Sequence, residues 1–127
     1  MRTVTVCLGF VGVLSCSIVR AQEVKTPPEA APVIAVLKAA KGSDTAGFKN
    51  AYSRPIREDQ DQGRWENNLR EAQVNLKILF GDYQTNDFSF TFSGDRKKGK
   101  VILFHKDQEA FPLTVIKEGK NWKVDER

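Results

Sequence analysis

The last third of the chain alternates apolar and polar residues in the manner of β-strands. Phe88, Phe90 and Phe92 alternate with Ser and Thr, so this strand has one aromatic face and one hydroxyl face. Such a strand belongs to a sheet that is covered on one side only. Pro112 cannot donate a backbone hydrogen bond and favours a sheet edge or the start of a strand. Further strands are predicted at residues 101–104, 111–116 and 122–124.

The middle of the chain shows helical spacing instead. Apolar side chains recur every three or four residues and form one stripe, made of Trp65, Leu69, Ala72, Leu76, Leu79 and Phe80. Gly81 follows the last of them and ends this long helix. Val74 and Ile78 lie on its opposite face, either as isolated surface residues or as a small patch for a partner or a homodimer.

Two shorter helices are predicted before the long one. Pro32 suits a first helical turn, and Gly42 ends the first helix. Ser43 or Asp44 begins the second helix as an N-cap, and Pro55 ends it because the residue before a proline is pushed away from the α region. The sequence therefore predicts an α+β fold, with three N-terminal helices packed on one face of a curved antiparallel sheet of about four strands.

Residues 1–21 have the pattern of a secretory signal peptide. Arg2 precedes an uncharged, apolar run at 3–19, and Ala21 provides a small residue for cleavage before Gln22. The run is short for a membrane span, so cleaved export is favoured over a retained anchor. We expect an exported protein, periplasmic or secreted.

Cys16 offers an alternative fate for this segment. Residues 13–16 resemble a bacterial lipobox, and lipidation at Cys16 would produce a membrane-anchored lipoprotein. Cys7 is the other cysteine, so cleavage after Ala21 would leave no cysteine in the exported domain. That domain is expected to rely on a hydrophobic core and not on disulfides.

The remainder is predicted to be one domain behind a short linker. Residues 22–28 are polar, contain Pro27 and Pro28, and are expected to be flexible. The domain then covers residues 29–127. About a hundred residues suffice for one hydrophobic core but not for two.

The charge balance argues against nucleic acid as a partner. The chain has a formal net charge of +4, and loss of Arg2 and Arg20 with the signal peptide leaves about +2. This positive charge is too small to indicate a nucleic-acid-binding protein. Basic residues cluster at 96–100, where a solvated hairpin tip is the simpler interpretation and contact with an anionic membrane surface is the alternative. Otherwise we expect membrane association only if Cys16 is lipidated.

The sequence supplies no cofactor or metal chemistry. A calcium loop starting at Asp59 would need Gly at its sixth position and Glu at its twelfth, where Arg64 and Arg70 stand. Zinc needs three or four ligands, whereas the chain after the signal peptide has one His and no Cys. The sequence also lacks a Gly-x-Ser-x-Gly elbow and a phosphate-binding glycine loop.

Three features occur together: a helix break at residues 41–44, a long helix carrying Trp65, and an ending at 111–125 that reads Phe-x-Leu-x-Val-Ile-Lys-Glu-Gly-x-x-Trp-Lys-Val-Asp. Together they resemble an exported member of the nuclear transport factor 2-like superfamily, which has a cystatin-like α+β fold. The resemblance covers residues 29–127. It implies a pocket between sheet and helices, where some relatives bind small molecules or move a proton with an Asp, His or Tyr. The chain departs from the pattern in having only residues 54–63 where many members carry a hairpin.

The candidate pocket residues are Tyr52, Trp65, Phe90, Phe104 and His105. Core packing is the competing interpretation for the aromatic residues, because helix and strand spacing usually place them inside. His105 is the only histidine and stands at a strand end, and no spacing rule singles out a partner for it. The sequence therefore assigns no catalytic residue.

Three functions stay open. The favoured one is a non-catalytic exported domain that binds a small apolar ligand or has a periplasmic accessory role. The reason is that the sequence predicts a complete hydrophobic core but no set of reactive side chains. The second is a small pocket enzyme of the isomerase or dehydratase type that uses His105 or Tyr52. The third is a protein-interaction or dimerisation module that uses the polar face of the sheet or the Val74 and Ile78 pair.

Overall fold

The computed structural model describes residues 26–127. The predicted signal peptide, Cys7, Cys16 and the linker up to residue 25 lie outside the described residues. Within the part that is described, no helix combines the length and the apolar character needed to cross a membrane.

Helices come first in this part of the chain and strands second, which confirms the predicted α+β class. Short 3-10 turns at Pro28–Ala30 and Thr85–Asp87 precede the first helix and the first strand. The main elements are α1 (Ala31–Gly42), α2 (Thr45–Asn50), α3 (Arg54–Glu58), α4 (Gln62–Phe80), β1 (Phe88–Gly94), β2 (Lys98–His105), β3 (Gln108–Glu118) and β4 (Asn121–Val124).

The strands form an open antiparallel meander in the order β1-β2-β3-β4. Phe90 pairs with Leu103 and Leu103 with Phe111, so the aromatic face of β1 continues as one apolar face across β2 and β3. Pro112 lies inside β3, an interior strand of the sheet. Because β4 pairs only with the last four residues of β3, however, β3 has no second neighbour at Pro112. The strand is locally an edge at this position, where proline is tolerated.

The helices cover the apolar face of the sheet and bury it. Trp65, Leu69 and Leu76 are 1%, 4% and 7% exposed, so this part of the apolar stripe of α4 faces the core as its spacing predicts. Both the sheet and the helices contribute buried residues, among them Val33, Leu37, Phe48, Leu69, Leu76, Phe88, Phe90, Val101, Leu103, Val115 and Val124.

The second predicted helix was too long, because Pro55 begins a helix and does not end one. α2 stops at Asn50, Ser53 is extended, and Pro55 lies in the first turn of α3. Proline suits that turn because its missing N–H needs no partner and its φ angle matches a helix. Asp44, and not Ser43, caps α2 by accepting a hydrogen bond of 3.0 Å from a backbone N–H of the first turn.

The segment between α2 and α3 covers the free edge of β4. Tyr52 forms an isolated parallel bridge with Val124. The Val124 N–H donates to the Ala51 carbonyl and the Ser53 N–H donates to the Val124 carbonyl, both at 2.8 Å. The buried Ser53 hydroxyl also donates to Asp125 Oδ1 at 2.6 Å. These bonds protect the sheet edge and hold Tyr52 beside the sheet.

Candidate functional site

An apolar cleft lies between α1, α4 and the inner face of the sheet. Its volume is about 280 Å³. Apart from one tyrosine and one asparagine, the side chains around it are apolar, which is the usual character of a small-molecule site. The lining consists of Val33, Val36, Leu37, Tyr52, Ala72, Asn75, Leu76, Leu79, Leu103, Phe111, Leu113 and Val124.

Leu79 is the most accessible apolar residue of this cleft, and the polar Asn75 is exposed as well. Leu79 is 59% exposed although it belongs to the apolar stripe of α4, and Val36 is half-buried. Val33 and Leu103, in contrast, are each 1% exposed. An apolar rim of this kind is surface that a bound ligand would cover.

Tyr52 and Asn75 supply the polar groups of the cleft. The Tyr52 ring packs against Phe48 and Trp65, with ring centroids 5.3 Å apart in each case. Burial, together with the negative charge of Glu126, raises the pKa of Tyr52 to about 12. The hydroxyl therefore stays protonated at neutral pH and acts as a hydrogen-bond donor, not as a base.

A second cleft of about 300 Å³ adjoins the first and shares Tyr52, Ala72 and Asn75 with it. Two carboxylates, Glu71 and Glu126, line this cleft, and no basic side chain of the described residues does. An anionic ligand group would be disfavoured there by charge repulsion. The remaining lining residues are Phe48, Ile56, Gln60, Trp65 and Asn68.

The structure brings only some of the predicted pocket residues to these clefts. Tyr52 lines both clefts, and Trp65 lines the second. Phe90 is 6% exposed and packs within the core. Phe104 pairs with Ser89, so it projects from the opposite, hydroxyl face of the sheet and shares no cavity with Phe90.

His105 lies among phenylalanine rings at the end of β2. Its ring centroid is 4.7 Å from that of Phe80 and 4.9 Å from that of Phe88. The Nε2 atom is buried and has no hydrogen-bond partner among the described residues. Tyr52 bridges Val124 of β4, and the residue of β2 that lies in the same cross-strand row is Gly99. Gly99 and His105 are about six residues apart on β2, which is about 20 Å along the strand. The two candidate acid–base residues therefore do not meet.

The groups around the clefts can bind but do not form a reactive set. In residues 26–127, no group of three or more His, Cys, Asp or Glu side chains is placed to hold a metal ion. The arrangement can exclude water from an apolar guest and offer it hydrogen bonds from Tyr52 and Asn75 on one side.

Sequence reasoning missed the contribution of α1 to the site. Val33, Val36 and Leu37 form one wall of the apolar cleft. Their helical spacing indicates an inward face, but it carries no information on the distance between that face and the sheet. The periodicity of a single helix therefore cannot predict a cleft between that helix and the sheet.

Comparison with known proteins identifies no relative. No protein-family model matches the chain, and neither a curated protein nor a solved structure matches it significantly. The account of function therefore depends on the residues and the geometry described above.

Proposed function

We propose that the domain binds a small apolar ligand in the cleft between α1, α4 and the sheet, and that it acts without catalysis. The apolar cleft of about 280 Å³ carries this proposal. An apolar cavity of about 150 Å³ is sufficient to bind benzene in another protein. The cleft therefore has room for a larger hydrocarbon or ring system.

The expected affinity follows from the area that such a ligand would bury. Removing about 200 Å² of apolar surface from water contributes about 5 kcal/mol, and the loss of free motion on binding offsets part of this gain. We therefore expect dissociation constants of about 0.2 mM or weaker. The ligand is expected to be uncharged or to keep any negative charge away from Glu71 and Glu126.

The geometry gives no support to the enzyme alternative. A general base needs a group that orients it or tunes its pKa. His105 Nε2 has no hydrogen-bond partner among the described residues, and its neighbours are the rings of Phe80 and Phe88. The raised pKa of Tyr52 makes it a poor proton acceptor at neutral pH.

Titration with N-phenyl-1-naphthylamine, an uncharged probe that fluoresces in apolar surroundings, tests the proposal. Val36→Trp fills the mouth of the cleft and is expected to weaken probe binding at least about tenfold, since it removes most of the buried contact area. Val74→Trp adds the same volume at a site on α4 that is 58% exposed and outside the cleft lining. This control is expected to bind the probe as the parent does.

Two results would contradict the proposal. One is a parent protein that does not bind the probe, and the other is equal binding by the parent and a folded Val36→Trp variant. Circular dichroism and urea unfolding establish that both variants are folded before the titrations are compared.

We also propose that the domain is exported and belongs to the nuclear transport factor 2-like superfamily. Export is supported by the signal-peptide pattern of residues 1–21. Superfamily membership is supported by helices that cover one face of an open antiparallel sheet and leave a cleft beneath them. The intact mass of protein purified from the producing cells distinguishes cleavage before Gln22 from lipidation at Cys16.

A protein-interaction role is the second candidate, favoured by exposed apolar side chains on α4. Val74, Ile78 and Leu79 are 58%, 76% and 59% exposed, respectively. If they join two copies, Ile78→Ser is expected to weaken a dimer seen in sedimentation velocity. A protein that stays monomeric at high concentration and captures no partner in cross-linked extracts counts against this role.

A further inference from the structure

One end of the sheet combines two turns that are rich in basic residues. The hairpin between β1 and β2 and the turn between β3 and β4 lie side by side there, and the Lys117 N–H donates to the Lys97 carbonyl at 2.8 Å. We call this surface the basic end and define it by Arg96, Lys97, Lys98, Lys117 and Lys120.

Within residues 26–127, the cations of the basic end make no close ion pairs, but Lys98 lines a cleft together with the carboxylates of Asp125 and Glu126. Among the described residues, none of the five takes part in an ion pair within 4.0 Å. Asp95 and Glu118 are the acidic residues of the two turns, and their carboxylates are bound by other groups. Asp95 accepts hydrogen bonds from the Lys97 and Lys98 backbone N–H groups at 2.8 and 3.0 Å. Glu118 accepts one from the Arg54 N–H at 2.6 Å and lies 3.6 Å from the Arg57 guanidinium.

Five basic and two acidic side chains give this end a net charge of +3. Residues 26–127 have a formal net charge of +2, from 17 Lys and Arg and 15 Asp and Glu. The remaining described surface therefore has a net charge of about −1, and the positive charge is concentrated at this end. Such a charge distribution orients a protein toward an anionic surface.

An aromatic pair lies at the same end of the sheet. Half-buried Trp122 on β4 packs against Phe92 on β1, with ring centroids 5.4 Å apart. The ammonium group of Lys117 lies 5.9 Å from the Trp122 ring centroid. Tryptophan combined with lysine is the residue composition that proteins place at membrane–water interfaces.

The described chain also begins at this end. The Pro28–Ala30 turn contacts both β1 and β4. β4 pairs only with the last four residues of β3, so it lies wholly at the basic end. The first described residues therefore lie near these cations.

From these observations we propose that the basic end binds the surface of an anionic lipid bilayer. The rings favour this partner over a nucleic acid strand, because bases need open aromatic faces for stacking. Phe92 and Trp122 instead pack edge to face against each other, at an interplanar angle of 64°. The proposal is independent of the apolar ligand, since none of the five basic residues lines the apolar cleft.

Co-sedimentation of the full chain with vesicles tests this proposal. The vesicles are phosphatidylcholine alone or phosphatidylcholine with about one third phosphatidylglycerol. Each Lys or Arg near an anionic surface strengthens binding about fivefold, so three neutralisations are expected to weaken it about 100-fold. The test variant is Arg96→Gln/Lys97→Gln/Lys120→Gln. The control is Lys38→Gln/Arg64→Gln/Lys77→Gln, which removes three exposed positive charges from α1 and α4.

The expected result is salt-sensitive binding to the anionic vesicles that the test variant loses and the control variant keeps. All three proteins carry the same N-terminal segment, so the difference between them reports on the basic end. Equal loss in both variants, or equal binding to neutral and anionic vesicles, would overturn the proposal. Tighter binding to single-stranded DNA than to the anionic vesicles would also overturn it, in favour of a nucleic acid partner.

Discussion

Gly99 shows how one small residue makes room for an aromatic contact across the sheet. The ring of Phe92 lies against Gly99 and reaches Trp122 of β4. A Cβ atom at Gly99 would come within 2.6 Å of the Phe92 ring and would also meet the Ser93 carbonyl oxygen. The missing side chain therefore lets the first and last strands meet on the inner face.

Gly99→Ala is expected to lower the free energy of unfolding by about 1–3 kcal/mol, because the added carbon overpacks this corner. Gly42→Ala is the matched control. At Gly42, in the last turn of α1, a Cβ atom would meet nothing within 4 Å, so stability should stay unchanged or rise by up to about 1 kcal/mol. Urea unfolding of the two variants measures both values, and equal losses would contradict this packing argument.

Asp125 links the end of β4 to the segment that covers its edge. Its carboxylate accepts hydrogen bonds from the Ser53 hydroxyl at 2.6 Å and from Arg127 Nε at 2.9 Å. Burial alone would raise the pKa of Asp125, but the hydrogen bonds from Arg127 and Ser53 outweigh burial and hold the pKa below its usual value. The ionised form is therefore favoured in the folded state.

This lowered pKa has a defined consequence for stability. A carboxyl group with a depressed pKa in the folded state stabilises the protein above its unfolded pKa of about 3.9, and the contribution is lost as the pH falls through the folded pKa. Asp125→Asn is therefore expected to reduce the loss of stability between about pH 5 and pH 2. Urea unfolding across this range measures the slope. An unchanged slope would show that Asp125 does not contribute.

Among the elements, α4 has two faces that differ in their contribution to stability. Leu69 is 4% exposed and faces the core, whereas Ile78 is 76% exposed. Leu69→Ala is expected to lower the free energy of unfolding by about 2–5 kcal/mol because it opens a cavity. Ile78→Ala should change it by less than about 0.5 kcal/mol. Comparable losses measured by urea unfolding would mean that Ile78 is buried in solution, as a dimer through this face requires.

The type and order of the elements could be predicted because each has a local signal. Alternation of Phe88, Phe90 and Phe92 predicts β1, and the stripe that begins at Trp65 predicts α4. The boundary at Pro55 was wrong because proline both ends helices and begins them. Tertiary contacts decide between these roles. The Ser53 backbone is extended because its N–H donates a hydrogen bond to the Val124 carbonyl, so α3 can begin only after Ser53.

At the scale of the whole molecule, the candidate site depends on distances between elements that sequence patterns do not contain. Tyr52, one of the candidate pocket residues, lines the apolar cleft, whereas Val36 and Leu79 line it and were not candidates. Phe104 was grouped with Phe90 although a one-residue offset places them on opposite faces. Residue type alone therefore selects aromatic candidates, and only packing shows which of them border a gap.

The apolar cleft and the basic end are separate parts of the molecule, so the two proposals can fail independently. Val36→Trp is expected to reduce probe binding and to leave vesicle binding unchanged. Neutralising the basic end should have the opposite effects. A variant that changed both activities would indicate that the whole domain had been disturbed.

The central claim is that the cleft between α1, α4 and the sheet accepts a small apolar molecule. Methyl NMR of the labelled protein during titration with a medium-chain alcohol such as octanol tests it most directly. The account predicts saturable shifts at Val33, Val36 and Leu103 in the cleft, and unchanged signals from Val74 and Ile78 on the outer face of α4. Shifts confined to Val74 and Ile78, or no shifts at saturating alcohol, would contradict it.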